Sequence, residues 1–558
     1  MAERIRVFAL GGLDEIGKSC YVVEIDNDIF VVGCGVRRPD KTQPGVDYVI
    51  PDFTYLKENK GRVKAYLLPH GHDDETGALA YLYRDVPAPI YGSAVTIAMF
   101  QNFCRHVDVD CASFDFRVVA PSSTFKVNGR SITFFQTSHN TALSSGIALQ
   151  SEYGNLIFTS DFVIENNADK NYLHDMNALS KLGEEKTLCL FAESFYASKS
   201  GYTAPRYKLS PLIANKIKDA QGRTFIALLT PNSYNIDEVI SLAIANRKKI
   251  VPYDKDTAET LSDMQKSGQL LIPSANFAPN EDINRIREQD MLVLVLGYAD
   301  KIYRKIALLA AGQNDNGHDV RLKESDLFIL AAPSDDSTEI EATDALDELF
   351  RSGCHVTNIS RKEFLLMHAS EEDLKMMISV LHPDYYVPVK GFYKDLLANA
   401  QVAMNMHGKL NHTNIFLLDN GLSILFDQTG GHVLNESIPH GDILIDGSGV
   451  GDVGDQVLQD RQKLSEGVVI LACTLDKKTH AIVAGPDIQM RGLFILKDGE
   501  AVLREITKVF TSTLIDAINK NVSWNLNSVR QLVYEKCVYS IRRQTGKEPM
   551  VLPIIIEI

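Results

Sequence analysis

With 558 residues, 45% of them hydrophobic and 23% charged, and with 36 glycines and 20 prolines, the chain is composed like a globular protein of about three or four domains, which excludes a disordered, collagen-like or disulfide-scaffold chain. Lysine and arginine number 57 against 72 aspartates and glutamates, a net charge of -15, which argues against a protein that coats nucleic acid with its whole surface and leaves room only for a local basic groove. The start MAERIRVFALGG has no basic stretch followed by an apolar one and no apolar run reaches about 18 residues, so a cytoplasmic protein without membrane contact is expected.

In chain order, the first 160 residues carry short β-rich runs bounded by Gly, Pro or Asp: RIRVFAL, SCYVVEI, DIFVVG, RVKAYLL, SITFFQT and NLIFTS. Helical patterns are sparse among them, so they predict an α/β sandwich of two layers of mixed strands with helices outside. From about Tyr207 to Val356, helical stretches such as SPLIANKIKDA and DEVISLAIANR alternate with the buried-strand runs TFIALL, MLVLVL and DLFILAA, the pattern of a separate module with a parallel sheet. EEDLKMMISVLH and KDLLANAQVAMNMH read as helices flanking the strand DYYVPV, and NIFLLDNGLSILF reads as a hairpin. The stretch from Gln428 to Ile443, rich in Gly, His, Asn and Pro, reads as a linker. The rest reads as a compact α+β unit with strands VVILACTLD, AIVAG, LFIL and VLPIIIEI and two helices. Eight scattered cysteines without a C-x-x-C pair point to small buried side chains in a reducing compartment rather than to a thiolate metal site or a disulfide framework.

The strand RVKAYLL runs into PHGHDDETGAL, placing His70, His72, Asp73, Asp74 and Glu75 on the loop at its C-terminal end. With 14 histidines in the chain, an H-x-H pair alone is weak, since chance supplies roughly a third of one. Two further strands end the same way, SITFFQTS in His139 and NLIFTS in Asp161. All four side chains thus follow strands of the same polarity, where open α/β sheets assemble their sites. Imidazoles with a carboxylate suit zinc.

LGGLDEIGKS, GVDYVIPDFTYL, HGHDDETGAL, the strand-end His139 and Asp161, HASEEDLKMM, PVKGFYK and the tail from DGSGVGDVGDQVLQDRQ through AGPDIQMRG to MVLPIIIEI resemble the ribonuclease J family over essentially the whole chain. The resemblance implies a metallo-β-lactamase αββα sandwich (1–205 and 358–427) with an inserted β-CASP α/β domain (206–357), a linker (428–443) and a small α+β C-terminal dimerisation domain (444–558). It implies hydrolysis of RNA phosphodiesters, by 5′ to 3′ exonuclease and by endonuclease action, in mRNA turnover and rRNA maturation. It also implies two metal ions that activate a water between them. His70, His72, His139 and Asp161 would hold the first. The second would use Asp74 and two histidines, but those two positions are Glu75 and Lys390 here. The family's D-A-G turn is Gly33, Cys34 and Gly35, its phosphate-holding S-G-H is Leu366, Met367 and His368, and its S-Q-G-E-P loop is Tyr298 to Ile302. The family-equivalent catalytic positions are Asp74 and His368, and the RNA-binding positions are His368, Ser370 and Glu193. Arg37, Arg38, Lys41 and Lys394 lie near the signature stretches as candidate channel or surface cations.

Scaffold motifs have stayed while metal and phosphate motifs changed together, as in the weakly active second branch of the family. The expected protein is a subunit of weak or no nuclease activity that binds RNA, pairs with an active ribonuclease J paralogue and with itself, and holds one zinc ion or none, with manganese or magnesium as alternatives. An autonomous ribonuclease with an adapted metal site and a plain RNA-binding scaffold are the competing readings. Lys390, which cannot ligate zinc but can bond to carboxylates, is expected to reach Asp74 and Glu75.

Overall fold

A computed structural model describes residues 2–165, 168–313, 320–334, 338–406, 408–447, 449–451, 453–493, 499–519 and 525–558. The chain divides into two compact units, Met1–Arg37 with Ile50–Ile443, and Arg38–Val49 with Leu444–Ile558.

In the first unit two sheets face each other. One has eight strands in the order Gly430–Leu434, Ser423–Asp427, Ile5–Gly11, Cys20–Ile25, Asp28–Val32, Val63–Leu67, Ile90–Gly92 and Phe116–Val118. The other has six, in the order Tyr385–Val389, Thr187–Glu193, Gly154–Phe158, Ser145–Ser151, Arg130–Gln136 and Ser123–Val127. Every β-rich run read in the first 160 residues forms one of these strands. Alternate side chains such as Val7, Val23, Phe30 and Leu67 meet Ile132, Ile147, Leu156 and Phe191 between the layers, and Phe158 stacks on Phe191 with ring centroids 4.3 Å apart. The opposite residues of the second sheet, Phe135, Ala148, Ile157 and Leu190, are covered by Leu179, Leu374, Met377 and Ala403, which come from the helices Met176–Glu184, Glu371–Leu381 and Tyr393–Met404. Helix Ala94–His106 packs on the first sheet. This is the αββα sandwich.

The inserted stretch forms an all-parallel five-stranded sheet, ordered Lys249–Pro252, Met291–Gly297, Thr224–Leu229, Leu327–Leu330 and His355–Asn358. Its three inner strands, Met291–Gly297, Thr224–Leu229 and Leu327–Leu330, read as largely apolar runs because helices cover both faces. Ile213, Ile236 and Leu261 pack on Ile226 and Leu292, while Ile302, Ile306 and Leu349 pack on Phe225 and Val293.

The structure changes two sequence assignments. The hairpin is not NIFLLDNGLSILF; Ile415 makes only an isolated bridge to Tyr386, and the hairpin joins Ser423–Asp427 to Gly430–Leu434. The stretch 428–443 therefore opens with an edge strand before it links anything. A Gly-rich strand with few side chains to pack carries little composition signal, since its pairing lies in the backbone.

In the second unit a sheet ordered Ile482–Arg491, Val468–Leu475 and Met550–Glu557 carries helices Gly499–Asn519 and Leu526–Thr545 on one face, where Leu471, Val551 and Ile555 meet Ile506, Phe510 and Val533. A third helix, Asp455–Ser465, was not foreseen, because it buries no residue and shows no apolar stripe. Of the expected strand LFIL, all but Leu493 lies outside the described residues. The cysteines are free, and all but Cys111 are buried. Among the described residues no helix is long and apolar enough to cross a membrane.

One buried group makes stability depend on pH. His174 is 2% exposed, and burial lowers its imidazole to about 4. Below about 6.5 the unfolded chain takes up a proton that the folded chain refuses, so this contribution is complete above pH 6.5 and is lost as pH falls towards 4. Between pH 7 and 5 the natural chain should lose about 2 kcal/mol more than the non-titrating His174→Leu variant, as measured by chemical denaturation. Parallel losses would show that His174 is not held neutral.

Candidate metal centre

The strand Val63–Leu67 delivers His70 and His72, and the short helix Asp73–Thr76 follows. That turn is fixed from behind: the amides of Cys34 and Val36 donate to the carbonyls of Glu75 (2.7 Å) and Asp73 (2.9 Å), and the amide of Ser19 to that of Asp74 (3.1 Å). Only glycine fits at 35, since a Cβ there would stand 1.6 Å from the Asp74 carbonyl oxygen. From the other sheet, Arg130–Gln136 and Gly154–Phe158 run in the same direction, both antiparallel to Ser145–Ser151, and deliver His139 and Asp161. Thr187–Glu193 and Tyr385–Val389 lie parallel to Gly154–Phe158 in sequence across the sheet, so Glu193 and Lys390 emerge beside Asp161.

The structure brings four of the expected ligands together: one ligand atom each of His70, His72, His139 and Asp161 lies within 4.8 Å of the others. His72 Nδ1 is 3.1 Å from His70 Nε2 and 3.4 Å from His139 Nε2, and Asp161 Oδ2 is 3.5 and 3.6 Å from the same two Nε2 atoms. The outward nitrogens decide what these contacts are. His72 Nε2 donates to the Pro231 carbonyl (3.2 Å) and His139 Nδ1 to the Met367 carbonyl (2.8 Å). A carbonyl only accepts, so both protons sit on the outside and the inward nitrogens present lone pairs. His70 Nδ1 has the Ser160 hydroxyl at 3.0 Å. Burial, reinforced by the neighbouring imidazoles, holds His70 far below its ordinary value, and burial is also the main cause for His139. Imidazoles aimed at one point beside a carboxylate, each oriented by an outer partner, form a donor set for a divalent cation.

Lys390 closes the other side of Asp161. Its Nζ lies 2.6 Å from Asp161 Oδ1, 2.7 Å from Glu75 Oε1 and 3.5 Å from Asp74 Oδ2. Its backbone has φ 57, a left-handed conformation that costs a non-glycine residue about 1 kcal/mol or more. It is imposed by hydrogen bonds from the Lys390 amide to Gly12 O (3.0 Å) and from the Ser194 amide to Lys390 O (3.1 Å). Burial works against the ammonium, but Asp161, Glu75 and Asp74 outweigh it and keep Lys390 charged. Burial likewise opposes the Asp161 carboxylate, which Lys390 and then His368 and His139 hold well below its usual range. Burial raises Glu75 to about 7 in spite of Lys390.

Two of the expected RNA-binding residues lie inside the protein. Glu193 is fully buried; its Oε1 accepts from the amides of Phe162 (2.7 Å) and Ala369 (3.1 Å), and its Oε2 holds His368 Nδ1 at 2.8 Å. Ser370 is 1% exposed, donates its amide to Asp373 and has its hydroxyl 2.6 Å from Thr203 Oγ1. Both side chains are taken up by the protein's own groups, and both position the loop that carries His368. His368 itself keeps an exposed edge beside Phe195 and Tyr196, 4.6 and 5.8 Å between centroids. Asp74 is about one-third exposed. Met367 is buried, and its carbonyl rather than its side chain serves the site. Arg37 is committed to Glu15 (3.3 Å) and Asp442 (2.6 Å) and is not a free channel cation. Lys394 sits 5.9 Å over the Phe392 ring. Sequence reading missed Ser160 and the Pro231 and Met367 carbonyls. Ser160 had a signal in its place beside Asp161, whereas a backbone carbonyl has none.

A family model described as the ribonuclease J C-terminal domain matches residues 456–558. Ribonuclease J2 of Bacillus subtilis is 31% identical over 565 residues, covering 100% of this chain and 99% of that protein. Ribonuclease J 2 of Staphylococcus epidermidis is 29% identical over 556 residues, covering 99% and 98%. A crystal structure of a protein of unknown function from Enterococcus faecalis matches 76% of this chain and 100% of its own with a TM-score of 0.51 at 15% identity, a likeness of fold alone.

Proposed function

The chain belongs to the ribonuclease J family, and from that premise we propose that it is an RNA processing and decay protein with weak or absent nuclease activity of its own, acting in the cytoplasm as the partner subunit of an active ribonuclease J. The observation that carries this reading is the Lys390 ammonium 2.6 Å from Asp161 and 2.7 Å from Glu75, at the position for which the family resemblance implies a metal ligand. An ammonium neutralises carboxylates but cannot activate a water as a metal ion does.

His70, His72, His139 and Asp161 fit zinc, because three ring nitrogens converge with a carboxylate oxygen and all three rings have an outer partner. Manganese and magnesium suit an oxygen-rich set better. Bound there, zinc would supply a Lewis acid for a phosphoryl oxygen. The chain's own residues orient the ligands: Glu193 fixes His368 beside Asp161, and Lys390 holds Asp161 Oδ1 so that Oδ2 faces the imidazoles. The intact four-ligand set is also what favours a second reading, an autonomous ribonuclease running on one metal. Hydrolysis of a 5′-monophosphorylated RNA by the purified chain, alone and mixed with an active paralogue, separates the two. The subunit reading expects the chain alone to be at least about 100-fold slower than the paralogue, a gap of about 2.7 kcal/mol in barrier. Equal rates would favour the autonomous enzyme.

The C-terminal unit offers a surface for association with the paralogue or with a second copy. Val468–Leu475 and Met550–Glu557 pair in parallel with Ile470 beside Leu552 and Ala472 beside Ile554. On the face away from the helices Leu552, Ile554 and Ile556 are 42, 45 and 52% exposed. A contiguous apolar strand face of this kind marks an interaction surface. Ile554→Asp should leave the fold intact, because the side chain is exposed, and should reduce the mass in solution to that of the single chain. An unchanged oligomer would exclude this face.

A further inference from the structure

Three carboxylates, two from the short helix Asp73–Thr76 and one from the loop after Gly154–Phe158, converge on one ammonium from the end of Tyr385–Val389. Glu75 is 2% exposed and Asp161 1%, so neither acid is neutralised by solvent. The pocket is shaped for this arrangement. Gly33, at φ +69, faces Glu75 directly, and a Cβ there would stand 2.8 Å from Glu75 Oε2. The absent side chain at 33 makes the room in which the Glu75 carboxylate lies. Asp161 divides its two oxygens, Oδ1 to Lys390 Nζ and Oδ2 towards His70 Nε2 and His139 Nε2, so that one oxygen is left to face the imidazoles.

From this geometry, and resting on the reading of the imidazole cluster as a metal pocket, we infer that Lys390 is a built-in second cation. Gly33, Glu75 and Lys390 form one coupled set in which the ammonium occupies the space between Asp74, Glu75 and Asp161. It orients Asp161 towards the imidazoles and closes the site to a second divalent ion. Lys390 is thus a positioning residue. A four-carbon stem with a compact charge suits the role, since it reaches three oxygens without leaving an uncompensated anion in the interior.

The test is the metal content of the full-length chain, by native mass spectrometry and titration with Zn²⁺ and with Mn²⁺ separately, for the natural chain, Lys390→Ala, Lys390→Met and Lys390→His. Lys390→Ala leaves three oxygens around an empty space and should bind about one equivalent more than the natural chain, with a melting temperature that rises on adding Mn²⁺. Lys390→Met fills the space without charge and should gain no metal. If Lys390→Ala folds poorly, folding in the presence of Mn²⁺ should restore it, and Lys390→His, which offers a ligand, should also gain about one equivalent. Unchanged metal content in both Lys390→Ala and Lys390→His would overturn the inference, as would a gain in Lys390→Met equal to that in Lys390→Ala. None of these readouts uses RNA or a partner, so their failure is distinct from a failure of the subunit reading, which the hydrolysis assay decides.

Discussion

His139→Ala is expected to abolish tight zinc binding by the full-length chain. The substitution removes one of three converging ring nitrogens and the hydrogen bond that ties the loop to the Met367 carbonyl. Loss of an outer partner alone typically costs about 10- to 100-fold in metal affinity, and loss of a ligand should cost more than that. Ser160→Ala supplies the comparison within the same pocket, because it removes only the hydroxyl at 3.0 Å from His70 Nδ1. The affinity order should therefore be natural chain, then Ser160→Ala by about one to two powers of ten, then His139→Ala. Competition against a zinc indicator measures all three. If His139→Ala binds zinc as tightly as Ser160→Ala, the imidazole cluster is not the metal pocket.

The second large effect is on stability. Asp373 is fully buried, and its carboxylate accepts from the amides of Ile164 (2.9 Å), Thr203 (3.0 Å) and Ser370 (3.0 Å). Those amides belong to the segment after Asp161, the segment that enters the inserted domain, and the loop that carries His368. One side chain thus pins three pieces of chain around the site. Asp373→Ala leaves three buried donors without an acceptor, at about 1 to 3 kcal/mol each before relaxation, and we expect a loss of about 3 to 5 kcal/mol in the first unit. Asp373→Asn keeps one accepting oxygen and should lose clearly less. A loss below about 1 kcal/mol for Asp373→Ala would mean that the amides find other partners and that the loop does not depend on this carboxylate.

The parts of the molecule legible in the sequence are those whose signal lies in side-chain chemistry along a single strand. Runs such as MLVLVLG and TFIALL are apolar without a break because both faces are buried, and each became a strand of the parallel sheet. His70, His72, His139 and Asp161 were legible because each ends a strand, and strand direction then carries all four to one edge. Features that depend on the backbone were not legible. The edge strand Gly430–Leu434 is hidden by its glycines, and the Pro231 and Met367 carbonyls that set the imidazole tautomers look like any others. Position along the chain does not report burial either. Glu193 and Ser370 sit beside the site, but at 0 and 1% exposure they are committed to amides and hydroxyls of the protein itself. The grouping of Arg38–Val49 with the C-terminal unit has no local signal, because it follows from contacts far apart in sequence.

On this reading the site pairs one metal pocket with one internal ammonium. Anomalous diffraction from crystals of the natural chain grown with excess Zn²⁺ tests it most directly, because it gives number and position together. One peak is expected, among His70 Nε2, His72 Nδ1, His139 Nε2 and Asp161 Oδ2, with Lys390 still between Asp161 and Glu75. A second peak of comparable height among Asp74, Glu75 and Asp161, with Lys390 displaced, would contradict it.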